Sequence, residues 1–129
     1  VVFRDNTKWV SAVIGQVDTA WGGMKTPAFQ NHCVSICERS DGKFISEREA
    51  YYICGILNSH LVENFIMATS DKRTFKIRIP VKIVEFDGMN KVHLRIAELS
   101  EKAHINYDND EMIENIRDEI DMLYLESLK

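Results

Sequence analysis

The stretch "YYICGILNSH", residues 51–60, decides how the middle of the chain folds. Ser46 and Glu49, three residues apart, form a capping box that predicts the start of a helix. The apolar face of that helix recurs at helical spacing, at Ala50, Ile53, Leu57, Leu61, Phe65 and Ala68. Asn58 and Ser59 interrupt the apolar run, although both residue types favour helix ends and breaks over helix interiors.

Two structural interpretations of this interruption remain open from the sequence. In the first, the helix breaks at residues 57–59, and Asn58 or Ser59 caps a second helical segment. In the second, Asn58 stays helical and its side-chain amide satisfies backbone groups of a following strand, residues 78–82. Gly55 fits either interpretation: glycine costs a helix about 1 kcal/mol relative to alanine but allows another backbone to come close. Both roles are structural and not catalytic.

The remaining sequence predicts an α+β fold in which strands largely precede helices. Segments rich in β-branched and aromatic residues predict strands at residues 1–5, 8–18, 32–39, 74–79 and 81–86. Polar caps predict helices over residues 90–104 and from Asp108 to the end. The predicted architecture is a small mixed or antiparallel sheet with one long central helix and two C-terminal helices.

The sequence predicts a single domain over residues 1–129, with a core at 1–105 and an acidic C-terminal helix at 106–129. The chain begins at Val1 inside a predicted strand without an initiator methionine, which indicates a segment of a longer protein. No apolar run approaches the roughly 18–20 residues of a membrane span. The chain has 3 cysteines at irregular spacing, which argues against a disulfide framework and indicates a cytoplasmic protein.

Charge is distributed unevenly along a chain whose net charge is −4. The final segment, residues 106–129, is strongly acidic, whereas residues 71–105 are basic overall. The densest basic stretch, "DKRTFKIRIPVK" at residues 71–82, contains Lys72, Arg73, Lys76, Arg78 and Lys82. Such a patch can bind phosphate on an acidic protein because charges interact over a Debye length of about 8–10 Å. A solvated strand face is the alternative.

A second candidate surface is "TAWGGMKTPAFQN", residues 19–31, which has no periodicity and is predicted as a loop. Trp21 supplies a stacking surface, while Lys25 and Gln30 carry groups that can hydrogen-bond to base edges. Met24, Phe29 and Asn31 lie in the same segment. The alternative is that Trp21 and Phe29 only attach a surface loop to the core.

The segments "EAYYICGILNSHLVENFI" (49–66) and "FKIRIPVKIV" (75–84) together resemble the target-recognition region of DNA adenine methyltransferases of restriction–modification systems. In that family a Tyr- and Leu-rich helix ends on a Leu-Asn-Ser triplet, here Leu57-Asn58-Ser59. A strand with an Ile-Pro signature follows, here Ile79-Pro80. The resemblance implies a DNA-binding specificity domain whose partners are double-stranded DNA and a catalytic domain of the same chain. It also implies S-adenosylmethionine as the cofactor of the parent protein.

The residues that such a methyltransferase needs for catalysis are missing from this sequence. Pro27 and Pro80 are not adjacent, and neither follows Asn or Asp, so there is no Asn/Asp-Pro-Pro-Tyr/Phe motif for a flipped adenine. Gly22-Gly23 does not lie in a nucleotide-binding pattern. We therefore expect no catalytic residue and no cofactor-binding residue in this chain, which is not an enzyme on its own.

Other chemistries have weaker support in the sequence. Cys33 and Cys37 would lie about 13 Å apart along a strand, too far to share a metal ion, and no metal site is expected. Cys54 with His60 suggests a thiol nucleophile, but a buried free cysteine is the commoner outcome in an apolar helix. The alternative function is a protein-interaction or structural module that uses the acidic C-terminal helix and apolar helix faces.

Overall fold

The structure, a computed structural model, describes residues 1–71 and 81–129. Within these residues short strands precede the helices, which confirms the predicted α+β class. The strands are β1 (Val2–Arg4), β2 (Ser11–Ala12), β3 (Val17–Asp18), β4 (Met24–Lys25) and β5 (Cys33–Ser35). The helices are α1 (Glu47–Leu57), α2 (His60–Thr69), α3 (Lys91–Ile105) and α4 (Asp110–Ser127). None of the helices in the described part of the chain is long and apolar enough to cross a membrane.

The main sheet is antiparallel, with strand order β2-β1-β5. Val2 lies opposite both Ala12 and Ser35 across its two neighbours. The segment predicted as one strand over residues 8–18 contains two short strands instead. The backbone N–H of Val13 donates to His104 Nε2 at 3.0 Å, so the chain leaves the sheet there to contact α3.

The hydrophobic core lies where α1 packs against α3 and α4. It is filled by fully or almost fully buried side chains: Phe3, Tyr52, Ile56, Leu57, Val62, Ile66, Ile96, Leu99, Ile116 and Ile120. Gly55 lies where α1 packs closely against α3. A Cβ atom at this position would lie 3.1 Å from both Ile96 Cγ2 and Ser100 Cβ, so the absence of a side chain allows the two helices to pack.

The central helix predicted as one long element is two helices, because the chain breaks at Asn58 and Ser59. Asn58 ends α1, and its backbone N–H donates to Cys54 O at 3.0 Å. Ser59, fully buried, begins α2 by accepting a hydrogen bond from the Val62 N–H at 3.3 Å. The first of the two sequence interpretations is therefore correct.

Asn58 also binds a strand through its side chain, as the second interpretation supposed, but that strand is β2 and not residues 78–82. Its amide oxygen accepts from the Ser11 N–H at 2.9 Å, and its amide nitrogen donates to Ser11 O at 2.8 Å. The carbonyl groups at the break are satisfied from elsewhere: Trp9 Nε1 donates to Leu57 O at 2.6 Å and Arg117 Nε to Asn58 O at 2.9 Å. The Leu57-Asn58-Ser59 triplet thus joins the sheet, α1, α2 and α4.

The cap predicted for α3 is correct, and the cap of α4 lies one residue after the predicted position. Asn90 caps α3 as predicted, by accepting a hydrogen bond from the Val92 N–H at 2.8 Å. The last helix is capped by Asn109 instead of Asp108, because the Asn109 side chain accepts from the Met112 N–H at 3.0 Å.

The segment predicted as a further strand, residues 81–86, is not a strand. Tyrosine hydroxyls on the helices bind its carbonyl groups instead: Tyr124 donates to Lys82 O at 2.8 Å and Tyr52 to Val84 O at 3.0 Å. The strand predicted at residues 74–79 lies outside the described residues.

Candidate nucleic-acid interface

The segment predicted as an irregular loop, residues 19–31, contributes one arm of a β-hairpin. β3 and β4 pair antiparallel, with Val17 opposite Lys25. All four residues of the two strands are exposed, including the large apolar side chains of Val17 and Met24. The hairpin therefore presents both of its faces to solvent, which is unusual for a purely structural element because a two-stranded ribbon is marginally stable alone.

The paired glycines of the hairpin form its turn. Gly22 and Gly23 have φ angles of 90° and 80°, a region that other L-residues rarely adopt. The turn is closed by two backbone hydrogen bonds, from the Gly22 N–H to Thr19 O at 3.0 Å and from the Thr19 N–H to Gly23 O at 3.2 Å. The glycine pair thus holds the tip of the ribbon in a tight, defined bend.

Trp21 lies at this tip with 92% of its surface exposed. The alternative that Trp21 attaches the loop to the core is therefore wrong. Phe29, at 39% exposed, lies partly against the protein. A fully exposed indole at the end of a ribbon can stack on a base or on another planar group.

The polar residues predicted to contact DNA lie on the same exposed segment. Lys25, opposite Val17 in the hairpin, and Gln30, beyond it, are both exposed. The base of the segment is fixed to the main sheet, because the Asp5 N–H donates to His32 O at 3.3 Å and the two side chains contact each other at 2.9 Å. Trp21, Lys25 and Gln30 thus lie on one exposed segment whose end is anchored beside the main sheet.

The predicted basic patch is described only at its final residue. Lys82 is exposed, and its carbonyl oxygen is held by Tyr124 of α4. The other four cations of the patch lie outside the described residues: Lys72, Arg73, Lys76 and Arg78. The Ile-Pro signature, Ile79 and Pro80, lies outside them as well.

Cys54 lies beside Ser11 and His104, and not beside His60 as the sequence suggested. Its sulfur is 3.4 Å from Ser11 Oγ and 3.9 Å from His104 Nε2. His104 Nδ1 lies 2.7 Å from Ser100 O, and its Nε2 accepts the Val13 N–H, so the imidazole lacks a free basic nitrogen. Burial raises the pKa of the Cys54 thiol, and we conclude that this cluster is structural.

His60, the first residue of α2, lies among carboxylates of α4. Its Nδ1 is 3.1 Å from Asp121 Oδ2 and 3.5 Å from Asp118 Oδ1, and its Nε2 is 2.9 Å from Glu114 Oε2. Burial alone would lower the pKa of His60, but the hydrogen bonds with Glu114 and Asp121 outweigh it and raise that pKa above its ordinary value. This cluster was not predictable from local sequence because its two halves are more than fifty residues apart.

The acidic C-terminal helix is an integral part of the fold. Ile116, Ile120 and Tyr124 of α4 are buried in the core. Several of its carboxylates are used within the chain: Glu119 binds Arg95 at 2.8 Å, and Glu114 binds Arg117 at 3.1 Å as well as His60. The acidic face is thus partly neutralised by neighbouring helices.

Comparisons with known proteins find no family model, no curated protein and no solved structure that matches this chain.

Proposed function

We propose that this chain is a non-catalytic DNA target-recognition domain, and that the β3–β4 hairpin with residues 26–31 is the part that contacts base edges. Its parent protein would be an S-adenosylmethionine-dependent DNA adenine methyltransferase of a restriction–modification system, with or without a fused nuclease. The motif resemblance at Leu57-Asn58-Ser59 supports the class of protein. The geometry of the hairpin supports the choice of contact surface.

The observation that carries the proposal is the 92% exposure of Trp21 at the tip of an exposed ribbon. The major groove of B-DNA is about 12 Å wide and admits a two-stranded β-ribbon. Lys25 donates hydrogen bonds suited to guanine, and Gln30 has the amide that pairs with adenine. One projecting segment thus combines stacking with donors and acceptors.

Contacts at the helix break would fix the position of the hairpin. The helix break fixes β2 through Asn58, and β2 is followed along the chain by β3. In this proposal the Leu57-Asn58-Ser59 triplet positions the recognition segment and does not itself contact DNA. The exposed cation Lys82 would neutralise phosphate, together with the basic residues between 72 and 78.

Tryptophan fluorescence tests the proposal directly, because the chain has 2 tryptophans of opposite exposure, Trp21 at 92% and Trp9 at 4%. Acrylamide should quench Trp21 far more than the buried Trp9. We expect a saturating DNA duplex at low salt to protect Trp21 from acrylamide, an uncharged quencher that leaves the ionic strength unchanged, and the Trp21→Phe variant to lack the quenchable component. Acrylamide quenching that is unchanged at saturating DNA would contradict the proposal.

Binding of a labelled duplex supplies the second measurement. We expect Trp21→Ala to weaken DNA binding by roughly tenfold, within the ~1–3 kcal/mol that an aromatic stacking contact contributes. Tyr107→Ala is the matched control, since Tyr107 is an aromatic residue at 80% exposure outside the hairpin, and it should leave affinity within about twofold. Equal losses in the two variants would count against the hairpin.

The protein-interaction alternative is favoured by two exposed apolar residues of α4, Met122 at 67% and Leu125 at 53% exposure. Its acidic part is less well supported, because Glu114, Glu119 and Asp121 already have partners within the chain. We therefore rank DNA recognition first.

A further inference from the structure

Carboxylates face both ring nitrogens of His60, and a neutral imidazole can donate a hydrogen bond to only one of them. Carboxylate oxygens face both ring nitrogens, Glu114 Oε2 at 2.9 Å from Nε2 and Asp121 Oδ2 at 3.1 Å from Nδ1. Neutral histidine has one N–H and one lone pair. Whichever nitrogen carries the proton, the other directs its lone pair at a carboxylate.

Excess negative charge accompanies this mismatch. Glu114, Asp118 and Asp121 lie around His60, and Arg117, which contacts Glu114 and also Glu63, is the cation beside them. A positive charge beside one ring nitrogen would remove the contact between its lone pair and a carboxylate. It would also reduce the repulsion among the carboxylates. That charge is either a second proton on the imidazole or a metal ion.

The distances at Nδ1 are compatible with a shared metal ion. Ligands held 2.0–2.1 Å from a tetrahedral Zn²⁺ ion lie about 3.3 Å from one another. His60 Nδ1 is 3.1 Å from Asp121 Oδ2 and 3.5 Å from Asp118 Oδ1. The three donor atoms all lie within 4.8 Å of one another. One nitrogen and two carboxylate oxygens suit a divalent transition ion, with the fourth position left to water.

The other contacts of the cluster match the surroundings of metal-bound histidines. A ligating histidine usually donates its second ring N–H to a carboxylate, which fixes the ring and raises the basicity of the ligating nitrogen. Glu114 is placed to accept that N–H from Nε2. Asp121 is fixed as well, because its Oδ1 accepts the Leu61 N–H at 3.1 Å and leaves Oδ2 directed at the imidazole.

We propose that His60, Asp118 and Asp121 form a binding site for a divalent transition-metal ion of the Zn²⁺ class, with Glu114 as the carboxylate that orients His60. The ion would connect the first turn of α2 to α4. Because the site lies on helices and not on the hairpin, it is independent of DNA recognition.

Calorimetric titration of the chain with Zn²⁺ tests the site. Because Cys33 and Cys37 are not buried and bind zinc as thiolates, both are first replaced in a Cys33→Ser/Cys37→Ser background. We expect one ion per chain. Asp118→Asn should weaken zinc binding at least tenfold, and this variant should fold normally because the Asp118 side chain is 73% exposed.

Glu126→Gln is the matched control, since it removes one carboxylate from an exposed position of the same helix, about 12 Å farther along its axis. It should leave zinc affinity within twofold. Glu114→Gln should weaken binding about tenfold, the lower end of the effect for a carboxylate that supports a metal-bound histidine. Mg²⁺ should not bind comparably, since it prefers oxygen ligands.

A thermal melt supplies a second readout. Zn²⁺ should raise the melting temperature of the background protein, and the rise should be absent in Asp118→Asn and retained in Glu126→Gln. The absence of zinc binding to the background protein would overturn the proposal. Equal zinc affinity in Asp118→Asn and Glu126→Gln would also overturn it.

Discussion

At the scale of single residues, Asn58 connects parts of the chain that are far apart in sequence. Its amide binds both the N–H and the carbonyl of Ser11, at 2.9 and 2.8 Å, while its own carbonyl accepts a hydrogen bond from Arg117. An asparagine at a helix end is common. Here Asn58 also takes the place of a neighbouring strand beside β2. Its side-chain amide supplies the donor and the acceptor that the backbone of such a strand would offer.

Asn58→Ala should therefore be strongly destabilising. Unpaired buried backbone groups cost about 1–3 kcal/mol each, and Ser11 is buried, so loss of both hydrogen bonds should cost about 2–6 kcal/mol in total. Urea unfolding measures it. Asn64→Ala, at an exposed position of α2, is the control and should change the free energy of unfolding by less than about 0.5 kcal/mol. A similar small change in both variants would show that the Asn58 amide does not hold β2.

The residue scale also shows what the sequence can and cannot reveal. Ser46 and Asn90 were predictable as caps because the signal lies within three residues of each. The partner of Asn58 was not, since Ser11 lies 47 positions away. His60 was not predictable as a cluster for the same reason. The acids at 114, 118 and 121 are visible as one face of a helix, but nothing local indicates what they contact.

At the scale of elements, the close packing of α1 on α3 depends on Gly55. A Cβ atom there would be 3.1 Å from two side-chain carbons of α3, closer than most real contacts. Gly55→Val adds further carbons and should cost about 1–3 kcal/mol, the usual range for overpacking. Gly15→Val is the control, because a Cβ at Gly15 meets nothing within 4 Å. Equal unfolding free energies for the two variants would contradict the packing.

The hairpin is a separate element whose loss should not unfold the protein. Gly22→Ala/Gly23→Ala places two L-residues at φ angles near +90° and +80°, at about 1–2 kcal/mol each. Because β3 and β4 are exposed, we expect a melting temperature within about 2 °C of wild type but a several-fold loss of DNA affinity. Gly15→Ala should change neither. If the Gly22→Ala/Gly23→Ala variant lost DNA affinity only because the whole protein unfolded, the hairpin would not be an independent element.

The hairpin was not predictable because its signal is short. Strands of two residues are too brief for an alternating pattern, and Val17 and Met24 are exposed where apolar residues usually indicate burial. The prediction for residues 81–86 was wrong in the opposite direction, because a strand was predicted where none is found. Its β-branched and aromatic residues suggested a strand, but tyrosines from α1 and α4 bind its backbone instead.

At the scale of the whole molecule, an acidic chain is expected to bind DNA weakly. Lys72, Arg73, Lys76 and Arg78 would neutralise about three or four phosphates, which gives a log–log salt slope near −3 at ~0.9 per contact. The net charge of −4 opposes binding, so we expect a Kd of about 10⁻⁵ M or weaker for the chain alone. Lys76→Ala/Arg78→Ala should flatten the slope by about 2. An unchanged slope and affinity would remove this segment from the DNA interface.

Selection of sites from a random duplex library by the proposed parent methyltransferase tests the central claim most directly. Phosphate contacts position a protein without specifying sequence, whereas base contacts carry sequence information. We predict that Lys25→Ala and Gln30→Ala each change the enriched sequence, while Lys76→Ala/Arg78→Ala lowers binding evenly and leaves the enriched sequence unchanged. An enriched sequence that is identical in wild type and both hairpin-segment variants would contradict base recognition by residues 17–31.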